Sequence, residues 1–408
     1  LIMKKNVILS LFIIFSGCNI PTAQKTEIIK KMTEEVYYLS SDSLEGRATG
    51  SQAEKKAANY ISEKFKSYGL IPKGSNGYFQ YFKTPIKKNP HSEKIEKNLK
   101  GINVIGYIDH GKKETVIIGA HYDHIGYGEF GSRYDGEKEI HNGADDNASG
   151  VSILLNLASS LNKIPKYNYL FIAFSGEEHG LFGSSYYAKN PTVDLAKVRF
   201  MMNFDMVGRL RADNTLAING IGTSNKWKKL INNSNKFNFN LKTTDSGIGP
   251  SDHTSFYLQD IPSIHFFTGQ HEDYHKPSDD ANKINFDGMY EVYSYVKEII
   301  KQSSSINEFD FQETKSESDV MPSFKVTLGV MPDYMFEGEG MRIDGISKGK
   351  TAAKFGFQKG DIVVKMGELE ITDMKSYMLA LSKFEKGDSI IVKVNRANQS
   401  FDLPTVFQ

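Results

Sequence analysis

The segment FSGEEHGLFGS, residues 174 to 184, sets Glu177 beside Glu178 directly after the apolar run NYLFIAF. Successive residues of an extended segment point to opposite sides, so the two carboxylates cannot share one simple role. One could face a bound cation while the other faces a substrate, or both could be solvated charges of the kind favoured where a helix starts. Other apolar runs end on the same kinds of side chain. TVIIGA is followed by His121, Asp123 and His124, MMNF by Asp205, and SIHFF by a segment, EDYHKPSDD, that carries Tyr274 and His275. HNGADDNASG adds Asp145 and Asp146 just before a helical pattern.

In an open parallel sheet, ligands bind outside the carboxyl ends of the strands. Five segments therefore bring His, Asp or Glu to one edge, which is hard to ascribe to chance. Histidine and carboxylate donors without thiolates suit zinc, and less specifically manganese or cobalt. A pair of ions about 3.5–4 Å apart needs a carboxylate shared between them. On that scheme one glutamate of the pair binds metal, and Glu177 accepts the proton of the attacking water.

The elements that must position these groups alternate along the chain. Strands are expected at 103–108, 115–120, 169–174, 200–204 and 263–267, near-continuous in apolar character as buried parallel strands are. Helices are expected at 51–68, 148–161, 225–237 and 287–302, the first closed by Gly69. The fold class is α/β, with a mixed, mainly parallel sheet flanked by helices. The expected division is a leader at 1–20, a catalytic unit at 21–302, a polar linker at 303–320 and a small β-rich unit at 321–408.

With a net charge of +1 and 24% charged residues, no broad basic surface exists for nucleic acid. The stretch MKKNVILSLFIIFSGCNIP has two lysines and an apolar run too short to span a bilayer comfortably, so it reads as a secretory signal. Its FSGC ending resembles a bacterial lipobox, which would make Cys18 a lipidated mature N-terminus and the protein an exported cell-envelope lipoprotein at the periplasmic or outer-membrane face. Cys18 is the single cysteine, which leaves neither a disulfide framework nor a thiolate metal site.

Taken jointly, GAHYDH, NGADDNASG, FSGEEHGLFGS, NFDMVG and DYHKPSDD occur in the order and approximate spacing of the co-catalytic zinc aminopeptidases, metallopeptidase family 28. The resemblance covers the chain from about Tyr37 to Ile300, and LSSDSLEGRATGS is similar to the opening segment of bacterial members. It implies two zinc ions per chain, His121 and Asp205 holding one, Glu178 and His275 the other, and Asp145 bridging them. It implies Glu177 as general acid and base, and Asp123 as the carboxylate that orients the ligand histidine. Asp146 is expected to brace its loop, Tyr274 to help an oxyanion, and Asp252 and His253 to lie near the substrate cleft. His124, His141, His179, His265 and His271 are read as packing, hydrogen-bonding or cleft-lining residues.

The C-terminal unit resembles a PDZ domain. GEGM, 338–341, stands where a carboxylate-binding loop would precede the binding strand, and KGDIVVKMGELEI is similar to a strand pair of bacterial PDZ domains. A protein C-terminal peptide is the partner this implies.

These readings point to an exported di-zinc aminopeptidase acting on peptides and attached to a membrane by lipid. The competing readings are a carboxypeptidase of the same family, a single-zinc glutaminyl cyclase, and a non-enzymatic envelope module. The resemblance implies that the cyclases lack the first histidine ligand, which is present here as His121.

Overall fold

The computed structural model describes residues 20–87, 95–314, 326–333, 336, 338–346, 349–397 and 399–407. Cys18, the leader and residues 315–325 lie outside them.

The larger sheet contains β1 (Ile71–Pro72), β2 (Phe79–Lys87), β3 (Ile95–Ile108), β4 (Thr115–His121), β5 (Asn168–Phe174), β6 (Val198–Phe204), β7 (Thr215–Asn219), β8 (Asn240–Thr244) and β9 (Ser263–Phe267). Its order is β1-β3-β5-β4-β6-β9-β7-β8, with β2 paired to β3. The centre, β5-β4-β6-β9, is parallel, while β3 joins β5 and β7 joins β9 in antiparallel fashion. The five expected strands are all present, and the parallel centre gathers the ends of four of them.

Every residue of β4 and β5 is buried, because helices cover both faces. Val116, Ile118 and Ala120 pack in a core shared with α1 (Ile20–Leu39), α2 (Gln52–Ser67), α3 (Gly150–Leu161) and α7 (Phe286–Ser303). Ile117 turns the other way, into a cluster with Tyr187 of α4 (Phe182–Lys189) and Phe256 of α6 (His253–Tyr257). Helix α5 (Trp227–Ser234) buries Trp227, Leu230 and Ile231. At the start of α2, Ser51 accepts a hydrogen bond from the Glu54 amide, and at its end Gly69 adopts φ 78°, where L residues are strained.

Over its described part, 304–314, the polar run after α7 is packed on the larger unit. Phe309 packs on Trp227 and Phe200, with ring centroids 4.8 and 5.0 Å away, and Thr314 donates its N–H to the Tyr257 hydroxyl at 2.9 Å. One aromatic residue every few positions is enough to pin a polar strap to a core.

The C-terminal unit is an antiparallel sheet of β10 (Val330–Pro332), β11 (Met341–Ile346), β12 (Ile362–Met366), β13 (Leu369–Glu370), β14 (Ser389–Arg396) and β15 (Gln399–Val406), with α8 (Thr351–Lys354) and α9 (Met374–Leu381). Its order, β10-β11-β12-β14-β15, corrects the expectation for GEGM. The strand that follows GEGM is β11, which is already paired on both sides, so no added peptide strand can lie along it. The available edge on that side is β10.

Candidate metal centre

His121 closes β4, Glu177 and Glu178 follow β5, Asp205 follows β6, and His275 lies in the loop after β9. In register, His121 pairs with Phe174, so the turns after β4 and β5 leave the sheet at the same level. Asp145 and Asp146 sit in the irregular turn just before α3, which includes a cis peptide between Asp146 and Asn147.

Asp146 stands between two histidines. Its Oδ1 is 3.3 Å from His121 Nε2, and its Oδ2 is 3.2 Å from His275 Nε2. His121 Nε2 also faces Asp205 Oδ1 at 3.2 Å, and His275 Nε2 faces Glu178 Oε2 at 3.0 Å. Among the described residues, two groups of donor atoms lie close enough to hold an ion, His121–Asp146–Asp205 and His124–Asp146–Glu178, with Asp146 common to both.

The far side of each ring sets its tautomer. His275 Nδ1 lies 2.8 Å from the Gly131 carbonyl, and His121 Nδ1 lies 3.2 Å from the Asp123 carbonyl. Each carbonyl is placed to accept a hydrogen bond from Nδ1–H, which turns each Nε2 toward two carboxylates. His275 Nε2 is buried and makes no hydrogen bond. Buried carboxylates and ring nitrogens converging on one point call for a cation, and a nitrogen and oxygen donor set suits zinc.

Asp145 is not the shared residue the sequence reading made it. Its Oδ1 accepts from Ser149 Oγ at 3.0 Å and the Gly208 amide at 2.6 Å, and its Oδ2 is 3.1 Å from His271 Nε2. A carboxylate so fully engaged has little left for a metal. Asp279 accepts the amides of both Asp145 and Asp146 at 3.0 and 3.1 Å, which fixes the turn and lets Asp146 face inward.

The two glutamates are in opposite electrostatic settings. Burial pushes the Glu177 carboxyl well above its ordinary range, and neighbouring Asp205, Glu178 and Asp252 add to this against the pull of His121. Burial also opposes ionisation of Glu178, but His275 and His124 outweigh it and hold the group down at about 2. Glu178 is thus kept as an anion while Glu177 is biased toward holding a proton.

Asp123 links several of these groups. Its Oδ1 accepts the Glu177 amide at 3.2 Å and lies 3.7 Å from His121 Nδ1. Tyr274 stacks on His275 at 3.9 Å, and burial raises its hydroxyl well above the usual range, so it remains a donor. Asp252 is buried, and burial pushes its carboxyl up to about 7. His253 turns away to stack on His265 at 5.0 Å, and burial keeps it neutral.

Sequence reasoning passed over several participants. His124 Nδ1 is 2.6 Å from Glu178 Oε1, and its spacing from His121 in GAHYDH was the available signal. Ser251 donates to Asp205 Oδ2 at 2.7 Å and accepts from Asn203 at 2.8 Å, contacts between distant segments with no local signature. His271 and Asp279 were visible only as members of a polar loop.

Residues 103–300 match the model of Peptidase family M28. The chain is 27% identical over 272 residues to Aminopeptidase YwaD of Bacillus subtilis (strain 168), a match covering 63% of this chain and 56% of that relative. It thus spans little more than half the length of that relative. A Zn-dependent exopeptidase from Parabacteroides distasonis shares the fold at TM-score 0.53 and 19% identity, over 67% of this chain and 97% of that one. Porphyromonas gingivalis glutaminyl cyclase does so at TM-score 0.55 and 17% identity, over 67% and 98%.

Proposed function

We propose that the protein is a di-zinc aminopeptidase that removes N-terminal residues from peptides. Asp146 would be shared by the two ions, with His121 and Asp205 completing one site and Glu178 and His275 the other, His124 lying beside the second. The observation that carries this reading is the placement of Asp146, one oxygen toward each of two histidines. When bound, the ions supply Lewis acidity toward the scissile carbonyl and acidify a water.

The chain's own groups do the rest. Glu177, with its carboxyl raised, is suited to take a proton from water and return it to the leaving amine. Asp123 holds the Glu177 backbone and the His121 ring together. The Tyr274 hydroxyl is available to donate to the oxygen on which negative charge develops.

Metal content by mass spectrometry, paired with hydrolysis of N-terminally free and blocked peptides, tests the proposal. Two zincs per chain and cleavage of free-amine substrates alone are expected. Cleavage of blocked peptides from the other end would assign a carboxypeptidase. Glutaminyl cyclase is the second reading, favoured by the shared fold; one zinc and conversion of N-terminal glutamine to pyroglutamate would establish it.

The same proposal includes export and lipid attachment at Cys18, and a PDZ-like role for the C-terminal sheet. A C-terminal peptide would add beside β10. Labelling of Cys18 with a fatty-acid analogue, and titration of carboxylate-ended against amidated peptides, check the two parts.

A further inference from the structure

The segment EGRATGS, residues 45–51, lies outside the stretch matched to the peptidase family, yet it reaches the metal centre. Glu45, Gly46 and Arg47 have φ of 43°, 66° and 49°, a left-handed run that costs on the order of 1 kcal/mol or more at each non-glycine residue. Docking holds it there. The Gly46 carbonyl accepts the Gly126 amide at 3.1 Å, and a Cβ on Gly46 would come within 2.5 Å of the His141 carbonyl.

Two side chains of the segment point at the loops that carry the donor set. Arg47 is 1% exposed. Its Nε donates to the Tyr122 carbonyl at 2.8 Å, Nη1 to those of Leu39 and Asn142 at 2.6 and 2.5 Å, and Nη2 to that of Gly143 at 3.0 Å. Tyr122 follows His121, and Asn142 and Gly143 lead into Asp145 and Asp146, so one planar cation ties the two loops together. Thr49 Oγ1 donates to Asp123 Oδ2 at 2.8 Å. The other oxygen of Asp123 is the one that meets the Glu177 amide and the His121 side.

We infer that Thr49 and Arg47 are positioning residues of the metal centre, Thr49 fixing the rotation of Asp123 and Arg47 fixing the spacing of the His121 and Asp146 loops. This rests on the zinc reading above. Without the Thr49 hydroxyl, Asp123 Oδ2 is buried without a partner and the carboxylate is free to turn away from His121 and Glu177. Lysine in place of Arg47 keeps the charge but loses the fork that reaches four carbonyls.

The experiment compares wild type, Thr49→Val, Thr49→Ser and Arg47→Lys. It reads zinc affinity of the apoprotein by competition with a chromophoric chelator, apoprotein melting, and the separate kcat and KM. Thr49→Val is expected to weaken zinc binding about 10- to 100-fold and to lower kcat with little change in KM. Thr49→Ser should restore both, and apoprotein melting should stay close to wild type. Arg47→Lys should weaken zinc binding at least as much. Should Thr49→Val fail to fold, Thr49→Ala carries the same comparison. Wild-type zinc affinity and kcat in the hydroxyl-free variant overturn the inference, as does a loss that serine fails to restore. A wild-type chain that binds no zinc overturns this inference and the functional reading together, which separates the two failures.

Discussion

Two acidic pairs meet at the carboxyl end of the central sheet, and their surroundings sort them differently. In the turn before α3, Asp145 receives donors from Ser149, Gly208 and His271, while Asp146 meets the nitrogens of His121 and His275. After β5, Glu178 meets His124 and His275, and Glu177 is enclosed among other acids. What distinguishes members of a pair is the supply of donors. A carboxylate already given several hydrogen bonds by backbone and hydroxyl groups is structural, one that faces imidazole nitrogens awaits a cation, and one surrounded by like charge is kept near protonation. The difference between Asp145 and Asp146 is therefore as large as that between two residue types.

Several variants can break or sharpen that contrast. The largest effect is expected for Asp146→Asn, which should release zinc from both sites and reduce peptide hydrolysis to background in a metal titration and rate assay. Glu177→Gln should lower kcat by about 10²- to 10⁴-fold while zinc content stays at the wild-type value. Asp145→Asn should weaken metal binding by about 10- to 100-fold and leave a measurable rate. Equal losses for Asp145→Asn and Asp146→Asn would erase the distinction.

The smallest effect concerns a buried acid far from the centre, Glu35, which accepts from Ser152 and Asn156 and whose carboxyl burial pushes up to about 7. A folded-state value above the ordinary 4.5 means that its contribution to stability is present below about pH 4.5 and is lost as the pH rises through about 7. Chemical denaturation across this window should show a slope of up to about 1.4 kcal/mol per pH unit from this group, and Glu35→Gln should flatten it.

How much of this was legible in the sequence varies with how local the cause is. The runs at 115–120 and 169–174 are apolar throughout because helices cover both faces, and such strands are visible to inspection. β7 and β8 are short and partly polar, the second at the sheet's edge, and neither was expected. Helix α1 buries Met32, Val36 and Leu39 at helical spacing, a pattern overlooked beside the leader. The convergence of donor-bearing turns could be anticipated because strand ends in a parallel sheet share one edge. Which of Asp145 and Asp146 turns inward could not, since an irregular turn has no alternation, and the choice is made by Asp279, Ser149 and Gly208 from three other segments. Ser251 and Thr49 were hidden for the same reason.

The way the left-handed run at Glu45–Arg47 seats against the His121 and Asp146 loops bears on how this catalytic unit can be cut and recombined. A graft or library built from residues 103–300 would carry the whole donor set and the base, yet leave three backbone carbonyls and one carboxylate oxygen without the hydrogen-bond donors that Arg47 and Thr49 supply. The smallest transplantable piece is set by this contact between distant stretches of chain, and it begins upstream of the segment that most resembles a peptidase.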